Sequence, residues 1–261
     1  MKAFRLNRLF DAGSRRCLAV AVGHGIEDPD CCVRSLIVAA PDALQLSVGQ
    51  AALLQSVPGK NRPALILRAD VANVHSPGLP PAPFSRMIGN AVEQAVRLDA
   101  ACVVVSLFSI PGQPGVTSQC LENILRLKPD CERYAMPLMI APQLFRPPGQ
   151  TGGVAEGDLE MILPLIRQAC DLGADIVEAD PTGALGDYHH VVESAGGIPV
   201  LVRAGCEASD AVILDRAEKL IRQGAAGLVY GRELIRHSDP TALTRALMAV
   251  VHDGVTAGTS F

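Results

Sequence analysis

The strongest constraint in this sequence is a series of short apolar segments that recur along the chain. Each segment has six to nine residues, is rich in valine, isoleucine and leucine, and is closed by glycine, aspartate or proline. Eight segments have this form: residues 17–23, 43–49, 64–70, 101–108, 137–145, 174–180, 198–205 and 226–231. Continuous apolar runs indicate strands that are buried on both faces, as in a parallel sheet.

Helical patterns lie between several of these segments. Apolar residues repeat at helical spacing there, and several patterns begin at a serine or an acidic residue or end at a glycine. The predicted helices cover residues 83–100, 158–173, 209–224 and 239–254. Eight strands alternating with helices over about 250 residues predict an α/β fold, a TIM (β/α)8 barrel, and a doubly wound open sheet is the alternative. Residues 1–261 are expected to form a single domain, with residues 255–261 as a flexible tail.

Composition narrows the classes of partner. The chain has 261 residues, of which 49% are hydrophobic, and a formal net charge of −4. These values exclude an intrinsically disordered chain, and the acidic balance argues against nucleic-acid or membrane partners. No apolar run reaches the roughly 20 residues that a membrane helix needs. The cysteines follow no metal-binding spacing and the first residues lack a secretory signal, so we expect reduced thiols in a cytoplasmic protein.

The ends of the predicted strands are expected to carry the chemistry, because TIM-barrel active sites lie at the carboxyl ends of the strands. Glu178 lies inside the sixth apolar run, and Arg203 follows three apolar residues in the seventh. Ionisable groups are rare at such places unless they are paired or functional. His24 directly follows the first apolar run, and Asp70 ends the third. We therefore predict acid–base roles for Glu178, His24 and Asp70. Arg203 would bind negative charge on a substrate, and a structural ion pair with Glu178 is the alternative.

The loops after the last two strands favour an anion. A glycine turn after the seventh strand precedes a helix start at Ser209, and a Gly-Arg pair follows the eighth strand directly. In many barrels these loops bind phosphate through backbone N–H groups, which glycine allows to approach closely. The predicted phosphate-binding residues are Gly205, Cys206, Gly231 and Arg232. Ordinary turn glycines beside a solvated arginine are the alternative.

Neither a metal nor a nucleotide cofactor is expected. The nitrogen and oxygen donors near the strand ends are His24, Asp70, His75, Glu178 and Asp180. They could bind a divalent ion, but their spacing matches no metal motif. The sequence also has no GxGxxG or Walker motif, so nothing supports a nucleotide cofactor.

Four segments resemble a known family of enzymes. Residues 22–28, 173–183, 198–205 and 224–240 are similar to class I aldolases of the archaeal-type fructose-bisphosphate, tagatose-bisphosphate and deoxyribose-phosphate group. The resemblance implies a TIM barrel, a small phosphorylated carbonyl compound as substrate, and a homo-oligomer. In that family a lysine on the sixth strand forms a Schiff base with the substrate.

The resemblance also implies a departure from the family's chemistry. Where the family pattern reads ADIVK, this chain reads ADIVE, so Glu178 occupies the lysine position. A carboxylate cannot form an imine. We therefore expect an aldolase-like lyase for a small phosphorylated sugar or ketose that works without a Schiff base and uses acid–base chemistry at Glu178. A sugar-phosphate isomerase or epimerase, or a non-catalytic barrel that binds a sugar phosphate, is the alternative.

Overall fold

The structure is a computed structural model. It describes residues 1–23, 29–58, 62–74, 80, 82–145, 157–205 and 208–254, and of residues 29–31 it describes the backbone alone. The predicted flexible tail, residues 255–261, lies outside these ranges. Among the described helices, none is long and apolar enough to span a membrane.

Eight parallel strands close into a barrel, which confirms the predicted TIM fold. The strands are β1 (Cys17–Ala21), β2 (Ala43–Leu46), β3 (Ala64–Arg68), β4 (Cys102–Ser109), β5 (Leu138–Leu144), β6 (Ile176–Ala179), β7 (Val200–Arg203) and β8 (Gly227–Tyr230). Each pairs with its sequence neighbours, and β8 pairs with β1 to close the ring. Each of the eight predicted apolar runs coincides with one of these strands to within a few residues at each end.

Helices connect the strands and cover the outside of the barrel. They are α1 (Lys2–Leu6), α2 (Pro29–Ala39), α3 (Val48–Gln55), α4 (Ala91–Arg97), α5 (Pro114–Arg133), α6 (Leu159–Asp171), α7 (Tyr188–Ser194), α8 (Asp210–Arg222), α9 (Arg232–Ile235) and α10 (Pro240–Asp253). Side-chain caps fix several helix starts. Asp158 accepts a hydrogen bond from the backbone N of Met161 at 3.3 Å, and Asp239 accepts one from that of Ala242 at 2.9 Å. Such caps satisfy N–H groups that have no partner inside the helix.

One predicted helix is wrong in its first half. Residues 83–100 were expected to be helical, but Ser85–Met87 forms a strand that pairs antiparallel with Asp70–Ala72. The helix begins only at Ala91, because Asn90 takes a left-handed conformation with φ 52° and breaks the helical register. The apolar spacing that suggested one long helix arises from a short strand followed by a short helix.

The barrel interior is apolar toward the amino-terminal ends of the strands, which we call its lower part. Inward-facing residues of all eight strands form one cluster there, which includes Ile66, Met139 and Leu201. Cys17 and Cys102 lie in the same cluster as free thiols, and burial raises the pKa of each thiol well above its usual value. These two cysteines therefore act as small apolar side chains, and the polar groups of the interior lie above them at the carboxyl ends of the strands.

Candidate active site

Gln45 and Glu178 stand at one height inside the barrel, on strands β2 and β6, which face each other across the ring. The register of the paired strands shows this. If the residues paired with Gln45 are followed through β3, β4 and β5, the route reaches position 174 in the sixth strand segment. If they are followed the other way, through β1, β8 and β7, the route reaches position 182. The two positions differ by eight residues, which is the shear of a TIM barrel, because the strands are tilted relative to the barrel axis. The residue at the height of Gln45 therefore lies halfway between the two positions, and this residue is Glu178.

The same counting gives two layers of inward-facing side chains at the barrel mouth, the end where the strands have their carboxyl termini. The lower layer consists of Gln45, Val104, Glu178 and Val229. The upper layer consists of Ala21, Arg68, Ala141 and Arg203. Each arginine side chain of the upper layer is 25% exposed. Because its other members are alanines, the upper layer leaves room for a ligand between two positive charges.

Arg203 bridges two buried carboxylates. Its Nε donates a hydrogen bond to Glu178 Oε1 at 3.0 Å, and its Nη1 donates one to Asp180 Oδ1. Asp180 Oδ2 accepts a further hydrogen bond from the backbone N of Leu144 at 3.3 Å. In contrast, Oε2 of Glu178 is buried and has no hydrogen-bond partner in the described structure. The ion pair considered as the structural alternative is therefore present, and one oxygen of Glu178 remains available for a ligand.

Burial and charge act in opposite directions on this cluster. Burial raises the pKa of Asp180, and the adjacent Arg203 offsets that effect only in part. Burial alone would lower the pKa of Arg203, but the charges of Asp180 and Glu178 raise it above its usual value. Arg203 is therefore a permanent cation that can stabilise negative charge on a bound ligand.

Asp70 lies beside the mouth and ties the short antiparallel ribbon to the barrel. It is 1% exposed. Its Oδ2 accepts hydrogen bonds from Ser85 Oγ at 3.0 Å and from the backbone N of Ser106 at 3.2 Å. The Nη1 of Arg68 lies 3.7 Å from Oδ1 of Asp70 and donates to Ser106 Oγ at 3.4 Å. These contacts orient Arg68 toward the mouth.

The two predicted phosphate loops meet around a carboxylate of the chain itself. A Cβ atom placed on Gly205 would lie 2.5 Å from Oε2 of Glu233, and one placed on Gly231 would lie 3.8 Å from the same oxygen. Glu233 belongs to the short helix α9, whose first residue, Arg232, is exposed. Glycine at position 205 is what allows this close approach. An acidic side chain therefore lies between the two loops where an anion was expected.

Two predicted site residues fall outside the described ranges, namely His24 and Cys206, as does His75 from the metal hypothesis. The described residues contain no group of three or more histidine, cysteine, aspartate or glutamate side chains arranged to hold a metal ion. Of the five metal-donor candidates, Glu178 and Asp180 are brought together, but their partner is Arg203.

Comparison with known proteins assigns the family. Residues 7–237 match the model of the DeoC/LacD family of aldolases. The chain belongs to this family. An uncharacterized aldolase of Saccharolobus solfataricus is 28% identical over 97% of this chain and 95% of its own length. The 2-amino-4,5-dihydroxy-6-oxo-7-(phosphonooxy)heptanoate synthase of Streptomyces griseus is 27% identical over 98% of this chain and 92% of its own length.

A solved structure has a fold similar to that of this DeoC/LacD aldolase. It is an archaeal fructose-1,6-bisphosphate aldolase with its catalytic lysine covalently bound to the carbinolamine intermediate of the substrate. The match has a TM-score of 0.77 and 23% identity, and covers 97% of this chain and 100% of that one. At 23% sequence identity, this similarity is evidence for the barrel fold alone and not for a shared reaction.

The described lysines of this aldolase have partners away from the mouth. Lys2 lies 3.0 Å from Asp175, which precedes β6, and Lys128 donates to the backbone O of Gly173 at 2.6 Å. Both sites are at the amino-terminal end of the barrel. Lys219 pairs with Asp215 at 2.7 Å along the outer helix α8. Lys60 lies outside the described residues.

Sequence reasoning missed Gln45 and Glu233 in this aldolase. Gln45 interrupts the second apolar run and shares the inward face with Ala43. A polar residue at an inward position near a strand end was a signal that could have identified it. Glu233 carries no such signal, because an acidic residue in the first turn of a helix is ordinary and its approach to Gly205 depends on the folded loops.

Proposed function

We propose that this DeoC/LacD aldolase is a lyase that cleaves or forms a carbon–carbon bond in a small phosphorylated sugar or ketose, without a Schiff base. The observation that supports this proposal is the state of Glu178. Its carboxylate is held on one oxygen by Arg203, while the other oxygen is buried at the mouth without a partner. A positioned carboxylate with one unbonded oxygen is suited to proton transfer.

The cleavage step uses Glu178 as the base. Its Oε2 accepts the proton of the hydroxyl on the carbon β to the substrate carbonyl. The electrons of the O–H bond form a new C=O bond, the adjacent C–C bond breaks, and its electrons pass to the former carbonyl oxygen as an enolate. Glu178 then returns the proton to the enolate carbon, which yields two carbonyl products and the original carboxylate.

The arginines of the upper layer would stabilise the enolate. Arg68 and Arg203 occupy opposite strands above Glu178, with alanines between them. A fixed guanidinium close to a developing negative charge lowers the barrier because it needs no reorganisation during the reaction. Lysine-based relatives place a protonated imine at the corresponding electron sink. In this chain, the two arginines are proposed to supply the positive charge.

The remaining predicted residues complete the proposal. His24 would act as a second acid or base, or polarise the carbonyl. Asp70 would position Arg68, with which it lies in contact, and is a further candidate base. The compound in the name of the Streptomyces griseus relative, a heptanoate synthase, has a phosphonooxy group. This supports a phosphate on the substrate of this chain, as does the resemblance to sugar-phosphate aldolases.

The phosphate would bind the loops that contain Gly205, Cys206, Gly231 and Arg232. Because Oε2 of Glu233 lies against Gly205, the carboxylate of Glu233 must turn outward before an anion enters. The anion would then take the place of the carboxylate, and backbone N–H groups and the exposed Arg232 would surround it. The resemblance further favours a homo-oligomer, which light scattering of the purified protein would measure.

An assay of the full-length protein tests the function. Fructose 1,6-bisphosphate, tagatose 1,6-bisphosphate and deoxyribose 5-phosphate are incubated with the enzyme, with and without borohydride, and the products and the protein mass are measured. We expect cleavage products and no borohydride-trapped adduct. A product with an intact carbon skeleton would indicate an isomerase, and a trapped adduct would contradict the Schiff-base-free mechanism. Binding without any turnover would indicate a non-catalytic barrel.

A further inference from the structure

Gln45 carries a buried carboxamide that nothing in the described structure satisfies. The residue is 2% exposed. Both of its side-chain polar atoms, Nε2 and Oε1, are buried without a hydrogen-bond partner. Leaving a buried amide unpaired is unfavourable, and buried polar groups in native proteins nearly always have partners. An unpaired amide at the mouth of a barrel therefore points to a ligand that completes its hydrogen bonds.

The strand around Gln45 has no structural need for an amide. Its inward neighbour on β2 is Ala43, which belongs to the apolar interior, and its flanking residues Leu44 and Leu46 pack into the outer core. An apolar side chain of similar size would fill the same space without the cost of an unpaired amide. The choice of glutamine at this position is explained if the amide acts in binding.

Gln45 and Glu178 have complementary unpaired groups. Nε2 of Gln45 is a donor and Oε2 of Glu178 is an acceptor, and each lacks a partner in the described structure. They belong to one layer on opposite strands, and the other members of that layer, Val104 and Val229, are apolar. A hydroxyl group between them would accept a hydrogen bond from Gln45 and donate one to Glu178.

We propose that Gln45 binds and orients the substrate hydroxyl whose proton Glu178 removes. This inference rests on the proposed function, since it assigns the reacting hydroxyl of that cleavage. Oε1 of Gln45 is free to accept a hydrogen bond from a neighbouring hydroxyl, because a carboxamide offers a donor and an acceptor side by side. The substrate class that fits is therefore a polyhydroxylated carbonyl compound with hydroxyls on adjacent carbons.

The test compares Gln45→Leu with a matched variant, Gln50→Leu. Gln50 lies at the start of α3, where its Oε1 accepts from the backbone N of Ser47 at 3.0 Å in a capping box. Both variants exchange glutamine for leucine within six residues of chain. Unfolding in urea and steady-state kinetics are measured for each, with whichever of the three sugar phosphates the wild type cleaves.

The two variants should respond in opposite ways. Gln45→Leu should keep or raise the urea midpoint of the free protein, and lower kcat/KM by about tenfold or more because the reacting hydroxyl loses its hydrogen bond. Gln50→Leu should lower the midpoint and leave kcat/KM within about twofold, since capping acts on stability alone. An amide that only supports the fold would instead make Gln45→Leu less stable.

The outcomes separate this inference from the proposed function. If the wild type cleaves a sugar phosphate and Gln45→Leu cleaves it equally well, the assignment of Gln45 is wrong and the lyase function stands. A loss of stability in Gln45→Leu comparable to that of Gln50→Leu also overturns the assignment. If the wild type cleaves none of the compounds, the proposed function fails and the role of Gln45 fails with it.

Discussion

Arg203 and Glu178 form an asymmetric pair: the guanidinium donates to Oε1 of Glu178 at 3.0 Å, while Oε2 of the same carboxylate has no partner in the described structure. The same guanidinium also bonds Asp180. One cation thereby pairs with two buried acids, and one oxygen of Glu178 remains for a ligand. Stability and chemistry at this barrel mouth therefore depend on the same side chain.

Replacing Arg203 should cost a large part of the stability. Arg203→Met leaves Glu178 and Asp180 buried without their cation, and removal of one partner from a buried ion pair costs about 3–5 kcal/mol. The free energy of unfolding in urea measures the loss. Arg222→Met is the matched control, because its pair with Glu218 lies on the outer helix α8 with the arginine exposed. That variant should change stability by less than about 1 kcal/mol, and equal effects would contradict the central role of Arg203.

Glu233→Gln should strengthen phosphate binding. The variant removes the negative charge that lies against Gly205 and keeps the size of the side chain. The thermal shift produced by inorganic phosphate or a sugar phosphate should increase relative to wild type, since an anion no longer has to displace a carboxylate. Glu193→Gln, which changes an exposed glutamate on α7, should leave that shift unaltered. A smaller shift in Glu233→Gln would place the phosphate elsewhere.

Much of the fold could be predicted from the sequence, because a strand buried on both faces produces a continuous apolar run regardless of its neighbours. Glu178 and Arg203 could be found for the same reason, as charges in apolar surroundings. The antiparallel strand Ser85–Met87 could not, because it depends on the contact of Ser85 with Asp70, which is distant in sequence. The position of Glu233 against Gly205 likewise results from two loops that only the closed barrel brings together.

Gly227→Ala should disrupt closure of the barrel. A Cβ atom on Gly227 would overlap the carbonyl oxygen of Cys17 and would lie 2.9 Å from its backbone N. These atoms belong to the pairing of β8 with β1 and cannot move without breaking it. We expect a loss of about 3 kcal/mol or more, or failure to fold. Gly186→Ala is the control, since a Cβ atom there meets nothing within 4 Å. Similar stability of the two variants would contradict the tight closure.

His252 should make stability depend on pH at the opposite end of the barrel. Its Nε2 lies 2.9 Å from Asp42 Oδ2 and its Nδ1 lies 2.7 Å from Ser14 Oγ. The hydrogen bond with Asp42 is the largest influence on the imidazole, and its pKa is raised. A raised pKa means that the folded state favours the protonated form. The resulting stabilisation is complete below the unfolded value of about 6.5 and is lost as the pH rises through the folded pKa.

The effect is measured by unfolding in urea at a series of pH values, from below the unfolded pKa of His252 to above its folded pKa. The difference in stability between the wild type and His252→Gln should be largest at about pH 5.5 and should shrink as the pH rises from about 6.5 through the folded pKa of His252. His190→Gln is the control, because His190 lies half-exposed on α7. A difference that stays constant with pH would show that His252 contributes only through packing.

The most direct test of the central claim is the turnover of Glu178→Gln on the sugar phosphate that the wild type cleaves. The variant keeps the size of the side chain and a partner for Arg203 but cannot accept the proton. We predict that kcat falls by about 10²–10⁴-fold while Glu193→Gln keeps wild-type turnover and both variants remain folded. Undiminished turnover in Glu178→Gln would contradict the claim that this carboxylate is the base.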